Sequence, residues 1–352
     1  KEQWEGKRYG PEGAMSDFQV DDAYPIDDID EILPALIQTK KYIYYSMHKD
    51  REFDNKLNSW VNEKSNKPKR NQYQQEIISL DHLLHDMRLF KSKAEITAMK
   101  NAAKIAVVAH ENAIKKAHPK MFEYELESEF IYEFTRHNAG HSYNPIVGGG
   151  ENACILHYVS NNAELKDGDL VLIDAGCEYE NYAADITRTF PVNGKFSSEQ
   201  AAIYDVVLKA QTDAIAMIGP GIEYNKTNEA TILAITQGLV DLGILKGDVS
   251  ELIAQEAHRE FYMHGAGHWL GMDVHDVGDY KIEGQWRVYE PGMVVTIEPG
   301  IYIAPGNPKV DKKWHGIAVR IEDDIVVTKT GNENITATVP KHREEIEALM
   351  AG

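Results

Sequence analysis

Cysteine, positive charge and long apolar runs are all scarce in this sequence. Its 352 residues hold two cysteines, Cys154 and Cys177, whose spacing makes neither a metal motif nor a disulfide framework. A reducing, cytoplasmic setting fits that scarcity. Acidic residues outnumber basic ones, and the formal net charge is −19 at pH 7. This argues against nucleic acid or an anionic membrane as partner, because both need a basic footprint. No apolar run is long enough to span a bilayer, and the opening KEQWEGKRYG lacks the apolar core of a signal peptide. The first residue is Lys1 rather than Met, so the chain reads as a fragment or a processed product.

The length suggests about two domains. Residues 1–85 are polar and mixed, with a short strand in KKYIYYSM (40–47), an exposed helix over 50–66 and a basic loop, KPKR. Beyond them Ser92 and Glu95 have capping-box spacing, and the Ala-rich stretch that follows predicts a helix ending near Pro119. The domain boundary is placed near Arg88–Lys91, giving 1–87 and 88–352. Further helices are expected at 123–138, 198–217, 227–241 and 248–260. Strands are expected at 169–175, 183–190, 293–298 and 317–327, a mixed α/β pattern.

Residues 170–190, LVLIDAGCEYENYAADITRTF, raise the main chemical question. An apolar run, Leu170 to Ile173, drives Asp174 into what reads as core, and Asp185 follows eleven residues later. A hairpin centred on Tyr179-Glu180 places the two acids directly opposite each other. Facing Cβ atoms lie about 5 Å apart, where like charges repel, and desolvation disfavours the charged forms further. Either the pair shares one proton or a cation lies between them. A misregistered hairpin with both acids in water is the plain alternative, and the apolar strand weighs against it.

The second half of the chain favours a cation. KDGDLVLIDAG (166–176) is echoed by EPGMVVTIEPG (290–300): Gly168 aligns with Gly292, Ile173 with Ile297, Gly176 with Gly300, and Asp174 falls on Glu298. This reads as two related half-domains facing one site, with too few copies for a solenoid. Glu322, in GIAVRIEDDIVV, shares a strand face with Arg320. Four acids in parallel placement, two per half, are hard to dismiss as chance. MHGAGHWLGMDVHDVG (263–278) adds His264, His268 and His275, and its glycines argue against a zincin helix. Four carboxylates with an imidazole suit Mn²⁺, with Co²⁺ or Zn²⁺ as alternatives. So many carboxylates point to two bridged ions, about 3.5–4 Å apart in hydrolytic enzymes.

These residues resemble the pita-bread metallopeptidases, the group of methionine aminopeptidase, prolidase and aminopeptidase P. From about Met87 onward, ILHY, LIDAGCEY, DITRTFPVNGKF, HWLGMDVHDVG, EPGMVVTIEPGIYIAP and RIEDDIVVT are similar to the aminopeptidase P branch. The resemblance implies an α+β fold: a pita-bread catalytic domain of two pseudo-symmetric halves, preceded by part of a smaller α/β domain that family members carry more fully. It implies Asp174, Asp185, His268, Glu298 and Glu322 as ligands of two divalent ions. It also implies release of the N-terminal residue from peptides with proline second, by a homo-oligomeric enzyme. Water bridging the ions would attack the carbonyl, with Glu298 as general base. His157, His264 and His275 would stabilise the oxyanion or shuttle protons, and Tyr302 and Arg320 would serve the substrate site. The rival readings are a prolidase confined to Xaa–Pro dipeptides and a non-catalytic binding protein.

Overall fold

The computed structural model describes residues 1–65 and 75–352. The expected basic loop KPKR lies outside the described residues. The chain divides into two compact units, Lys1–Leu84 and His85–Gly352. The boundary read from sequence, 87/88, falls in the same helix, Asp81–Leu89. In the first unit, strands Tyr42–Tyr44 and Glu76–Ile78 pair in parallel. Leu57 and Trp60, on helix Arg51–Ser65, pack with Ile43, Leu33 and Phe53 in a small core.

The second unit is built around helix Lys93–Lys116. Ser92 and Glu95 exchange side-chain and backbone bonds, so the capping box is complete. Ala102, Ala106, Ala109 and Ala113 are fully buried, and these short side chains let the helix press closely on its neighbours. The helices expected next form as Glu123–Arg136, Ser198–Ala216 and Asn225–Asp241. The helix expected over 248–260 is not continuous. It stops at Ala254, and Glu256, at φ +54°, separates it from a 3₁₀ turn, Ala257–Glu260. A left-handed residue cannot propagate a right-handed helix.

Two antiparallel ladders carry the acids. In the first, Leu170–Asp174 lies between Ile146–Gly149 and Thr187–Pro191. In the second, Val294–Ile297 pairs with Asp323–Thr328 on one side. On its other side it bonds to residues 266–270, with Thr296 N–H donating to the His268 carbonyl and Glu298 N–H to that of Ala266. Each central strand follows a glycine at positive φ, Gly168 at 86° and Gly292 at 98°. Each ladder breaks beyond its central strand and then resumes, as Cys177–Tyr179 with Tyr182–Ala183 and as Gly300–Ile303 with Ile317–Arg320. The strands expected over 183–190 and 317–327 are therefore each split, and the acids sit at the splits.

The turn centre lies one residue later than expected, which shifts the pairing by two residues. Tyr179 pairs with Tyr182, and Asp174 pairs with Thr187 rather than Asp185. The turn is Glu180-Asn181, at φ 50° and 66°. Two left-handed residues match the twist of the flanking strands, and asparagine tolerates that region well. Asp185 consequently lies diagonal to Asp174 on the same face, still within side-chain reach. In the second half Ile297 pairs with Asp323 and Gly300 with Arg320, so Glu298 does fall opposite Glu322. The expected parallel placement thus fails for the second acid of each half: Thr187, not Asp185, is the counterpart of Glu322.

Candidate metal and active site

Both ladder breaks open into one cavity of about 580 Å³. Asp174, Asp185, Glu298 and Glu322 line it, together with His157, His264, His268, His275 and Arg320. Tyr302 is hydrogen-bonded to two of these, His264 and Arg320. Asp185, His268 and Glu322 offer ligand atoms within 4.8 Å of one another. His268 Nε2 is 3.5 Å from Asp185 and 3.7 Å from Glu298. Its Nδ1 lies 3.0 Å from the Trp269 carbonyl oxygen. Nδ1 therefore carries a proton, and Nε2 faces the acids as a ligand nitrogen does. Gly267 makes this approach possible, since a Cβ there would stand 1.7 Å from the Thr296 carbonyl oxygen.

Arg320 organises the other side. It donates to Asp174 at 2.6 Å, to the Tyr302 hydroxyl at 3.0 Å and to Thr187 at 3.2 Å. Tyr302 in turn donates to His264 Nε2 at 2.9 Å, while His264 Nδ1 donates to the Gly265 carbonyl at 2.9 Å. His264 Nδ1 also lies 4.0 Å from Glu298. A relay thus runs from the guanidinium through the phenol to the imidazole.

The cluster holds more negative charge than its surroundings neutralise. Burial raises the Glu298 carboxyl to about 7, against the pull of His268 and Arg320. Burial also lifts Glu322 well above the usual range, and Asp185 and Glu298 push the same way. Asp174 is raised by burial although Arg320 opposes it. For His268 burial pulls downward, but the hydrogen bond and charge of Asp185 outweigh it and the imidazole rises to about 9. His264 goes the other way: burial, helped by Arg320, lowers it to about 4 and keeps it neutral. One guanidinium and one imidazolium cannot balance four carboxylates, of which Asp185 and Glu322 are buried and Asp174 and Glu298 half-buried. An oxygen-rich donor set with one free imidazole nitrogen fits divalent cations.

Sequence reasoning misses Tyr143, whose hydroxyl lies between Asp174 and Asp185 in hydrogen-bond contact with both, its single proton serving one of them at a time. Nothing in HSYNPI marks it. It also misses Thr187, which donates to Glu322 at 2.7 Å. Alternation from Asp185 through DITRTF puts Thr187 on the acid face, so that signal was present.

Metallopeptidase family M24 matches residues 97–329. The chain belongs to this family. The aminopeptidase P N-terminal domain family matches residues 1–44 of the same M24 chain. Over 350 residues it is 50% identical to the Xaa-Pro aminopeptidase of Escherichia coli, covering 99% of this chain and 79% of that relative. Aminopeptidase PepP of Pseudomonas aeruginosa has a solved structure that superposes with a TM-score of 0.96 at 55% identity, covering 99% of this chain and 80% of that one. Zinc-substituted Escherichia coli aminopeptidase P in complex with product superposes with a TM-score of 0.94 at 49% identity, with coverage of 99% and 80%. The α+β pita-bread fold implied by the motifs is the fold of this metallopeptidase.

Proposed function

We propose that this M24 peptidase releases the N-terminal residue from peptides whose second residue is proline. The observation that carries the reading is the group of four carboxylates and His268, buried or half-buried, around one cavity. The 50% identity to an Xaa-Pro aminopeptidase supports the proline preference. Asp174, Asp185, His268, Glu298 and Glu322 would hold two divalent ions, Mn²⁺ first, with Co²⁺ or Zn²⁺ able to substitute. Bound there, the ions acidify a water and polarise the scissile carbonyl.

The remaining tasks fall to the chain itself. Glu298 accepts the proton of the attacking water and passes it to the leaving proline nitrogen. An amide to proline has no N–H, so the pocket needs no acceptor for one. His157 and His275 are the donors assigned to the developing oxyanion. His264, neutral and linked to Tyr302, is assigned to proton movement beside Glu298. Arg320 has its nitrogens engaged by Asp174, Tyr302 and Thr187. It and Tyr302 are therefore assigned to holding the site in shape, with the substrate reached only through it. A cytoplasmic homo-oligomer is the matching cellular form, and the free thiols of Cys154 and Cys177 support the compartment.

The test is hydrolysis of an Xaa–Pro–Xaa tripeptide beside an Xaa–Pro dipeptide, after chelation and return of Mn²⁺. Tripeptide cleavage restored by the metal supports the proposal. Cleavage of the dipeptide alone would make the enzyme a prolidase. No cleavage of either, with metal shown to be bound, would overturn the catalytic reading.

A further inference from the structure

His275 reaches the cavity wall from a loop rather than a strand. Its ring meets the His268 ring edge-on, with centroids 4.2 Å apart. Among the described residues none hydrogen-bonds to the His275 ring. Its aim must therefore come from its backbone, and the next residue fixes that backbone. The Asp276 side chain is fully buried and accepts from Arg88 at 2.5 Å and from Lys91 at 3.0 Å. The Lys91 side chain is itself only 1% exposed, so water offers neither charge an alternative partner.

The loop is closed around this contact. Asp276 N–H donates to the Trp269 carbonyl at 2.9 Å, and Gly271 N–H to that of Asp273 at 3.1 Å. Gly271 leaves the necessary room, since a Cβ there would stand 2.0 Å from Asp276 Oδ2 and 2.8 Å from Lys91 Cε. Arg88 also holds Asp273, at 2.7 Å. The acids before and after Val274-His275 thus end on one guanidinium. A buried ion pair is weak evidence for stability, because apolar residues of similar size often serve as well. Its value here is direction. Displacing His275 means pulling Asp276 off Lys91, which has no solvent to turn to, and off the guanidinium that also holds Asp273.

We infer that Asp276, gripped by Lys91 and Arg88, is a positioning residue that aims His275 into the active site. The inference rests on the assignment of His275 to the reaction above. The test uses the full chain loaded with Mn²⁺ and an Xaa–Pro–Xaa tripeptide. It reads kcat, KM, bound Mn²⁺ per chain and melting temperature. Asp276→Asn alone strands Lys91, so it is accompanied by Lys91→Met/Asp276→Asn, which removes both charges of the buried pair. In that double variant kcat falls about 10- to 100-fold, while KM and bound Mn²⁺ stay within about twofold. Adding His275→Ala to it lowers kcat no further than His275→Ala does alone, as expected when two residues act as one unit. An unchanged kcat, or losses that multiply, overturns the inference. A silent His275→Ala overturns the assignment of His275 itself, and that result is distinct because it appears without any change at Asp276.

Discussion

The two halves of the catalytic unit share one ladder and fill it with opposite chemistry. Ile173 pairs with Arg188 and Ile297 with Asp323, so Arg188 and Asp323 hold equivalent positions. They are joined to each other at 2.7 Å, both fully buried. The adjacent equivalent pair, Thr187 and Glu322, also meets, hydroxyl to carboxylate at 2.7 Å. Two positions beyond, the counterparts are Asp185 and Arg320. An unchanged repeat would set two arginines or two glutamates against each other at these points, and like charges in close apposition destabilise. The difference between the halves replaces that repulsion with a contact at the first two positions, and at the third Arg320 pairs with Asp174 instead of Asp185. At the end of each central strand the halves agree, with Asp174 and Glu298 both acids, and these join Asp185 and Glu322 in the cavity wall. At Arg188 and Asp323 the difference between the halves gives a neutral pair, whereas the acids at the ladder breaks, Asp174 and Glu298 with Asp185 and Glu322, leave negative charge over for a cation.

Breaking the point of agreement should have the largest effect. Glu298→Ala is expected to lower tripeptide turnover about a thousandfold at saturating Mn²⁺. Near-normal release of the N-terminal residue would remove Glu298 from the proposed reaction. Breaking a point of difference should cost stability instead. Burial would raise the Asp323 carboxyl, but Arg188 and Lys341 hold it well below the usual carboxylate range. Arg188→Met leaves Lys341, at 2.6 Å, as the remaining cationic partner of Asp323. The expected loss is about 3 kcal/mol in urea unfolding. An unchanged midpoint would show that the pair joining the halves is dispensable.

Thr187→Val is a gentler break at the neighbouring position. It removes the hydroxyl that donates to Glu322 but leaves the backbone bond from Glu322 N–H to the Thr187 carbonyl. The expected cost is about 2 kcal/mol, the scale of a hydrogen bond to a charged group. It is read by urea unfolding in chelator, so that metal binding does not mask it. A loss as large as that of Arg188→Met would mean that hydroxyl and guanidinium contribute alike, and the distinction between the two positions would fall.

Much of this was legible in the sequence because it depends on local chemistry. The capping box at Ser92 and Glu95 predicts the helix start, and apolar runs ending in Asp174 and Glu298 predict acids delivered into a core. The hairpin register was legible in principle. Asn181 is the residue that best tolerates a left-handed turn, and choosing it over Tyr179 would have moved Asp174 opposite Thr187. Tyr143 and the Lys91–Asp276 pair were not legible, because their partners lie 31 to 185 residues away and no periodicity links them. The repeat suggested symmetry, and only the pairing register shows that the halves are complementary instead.

The smallest expected effect separates the halves by pH. Behind each central strand a helix side chain satisfies one carbonyl. His110 Nε2 donates to Ala175 at 3.0 Å, and Gln211 Nε2 donates to Ile297 at 3.4 Å. One half thus uses a titratable group and the other does not. Burial lowers His110 from 6.5 to about 3. Between those values the unfolded chain binds a proton that the folded chain refuses, so this contribution to stability falls as pH falls. The loss sets in near pH 6.5 and is complete near pH 3. From pH 6.5 to about 5.5 it amounts to about 1 kcal/mol. His110→Gln keeps a donor for the Ala175 carbonyl and cannot titrate. Its urea stability should therefore fall by about 1 kcal/mol less than the parent's over that interval. Equal slopes would mean that His110 accepts its proton in the folded state, and the first half would then be no more acid-sensitive than the second.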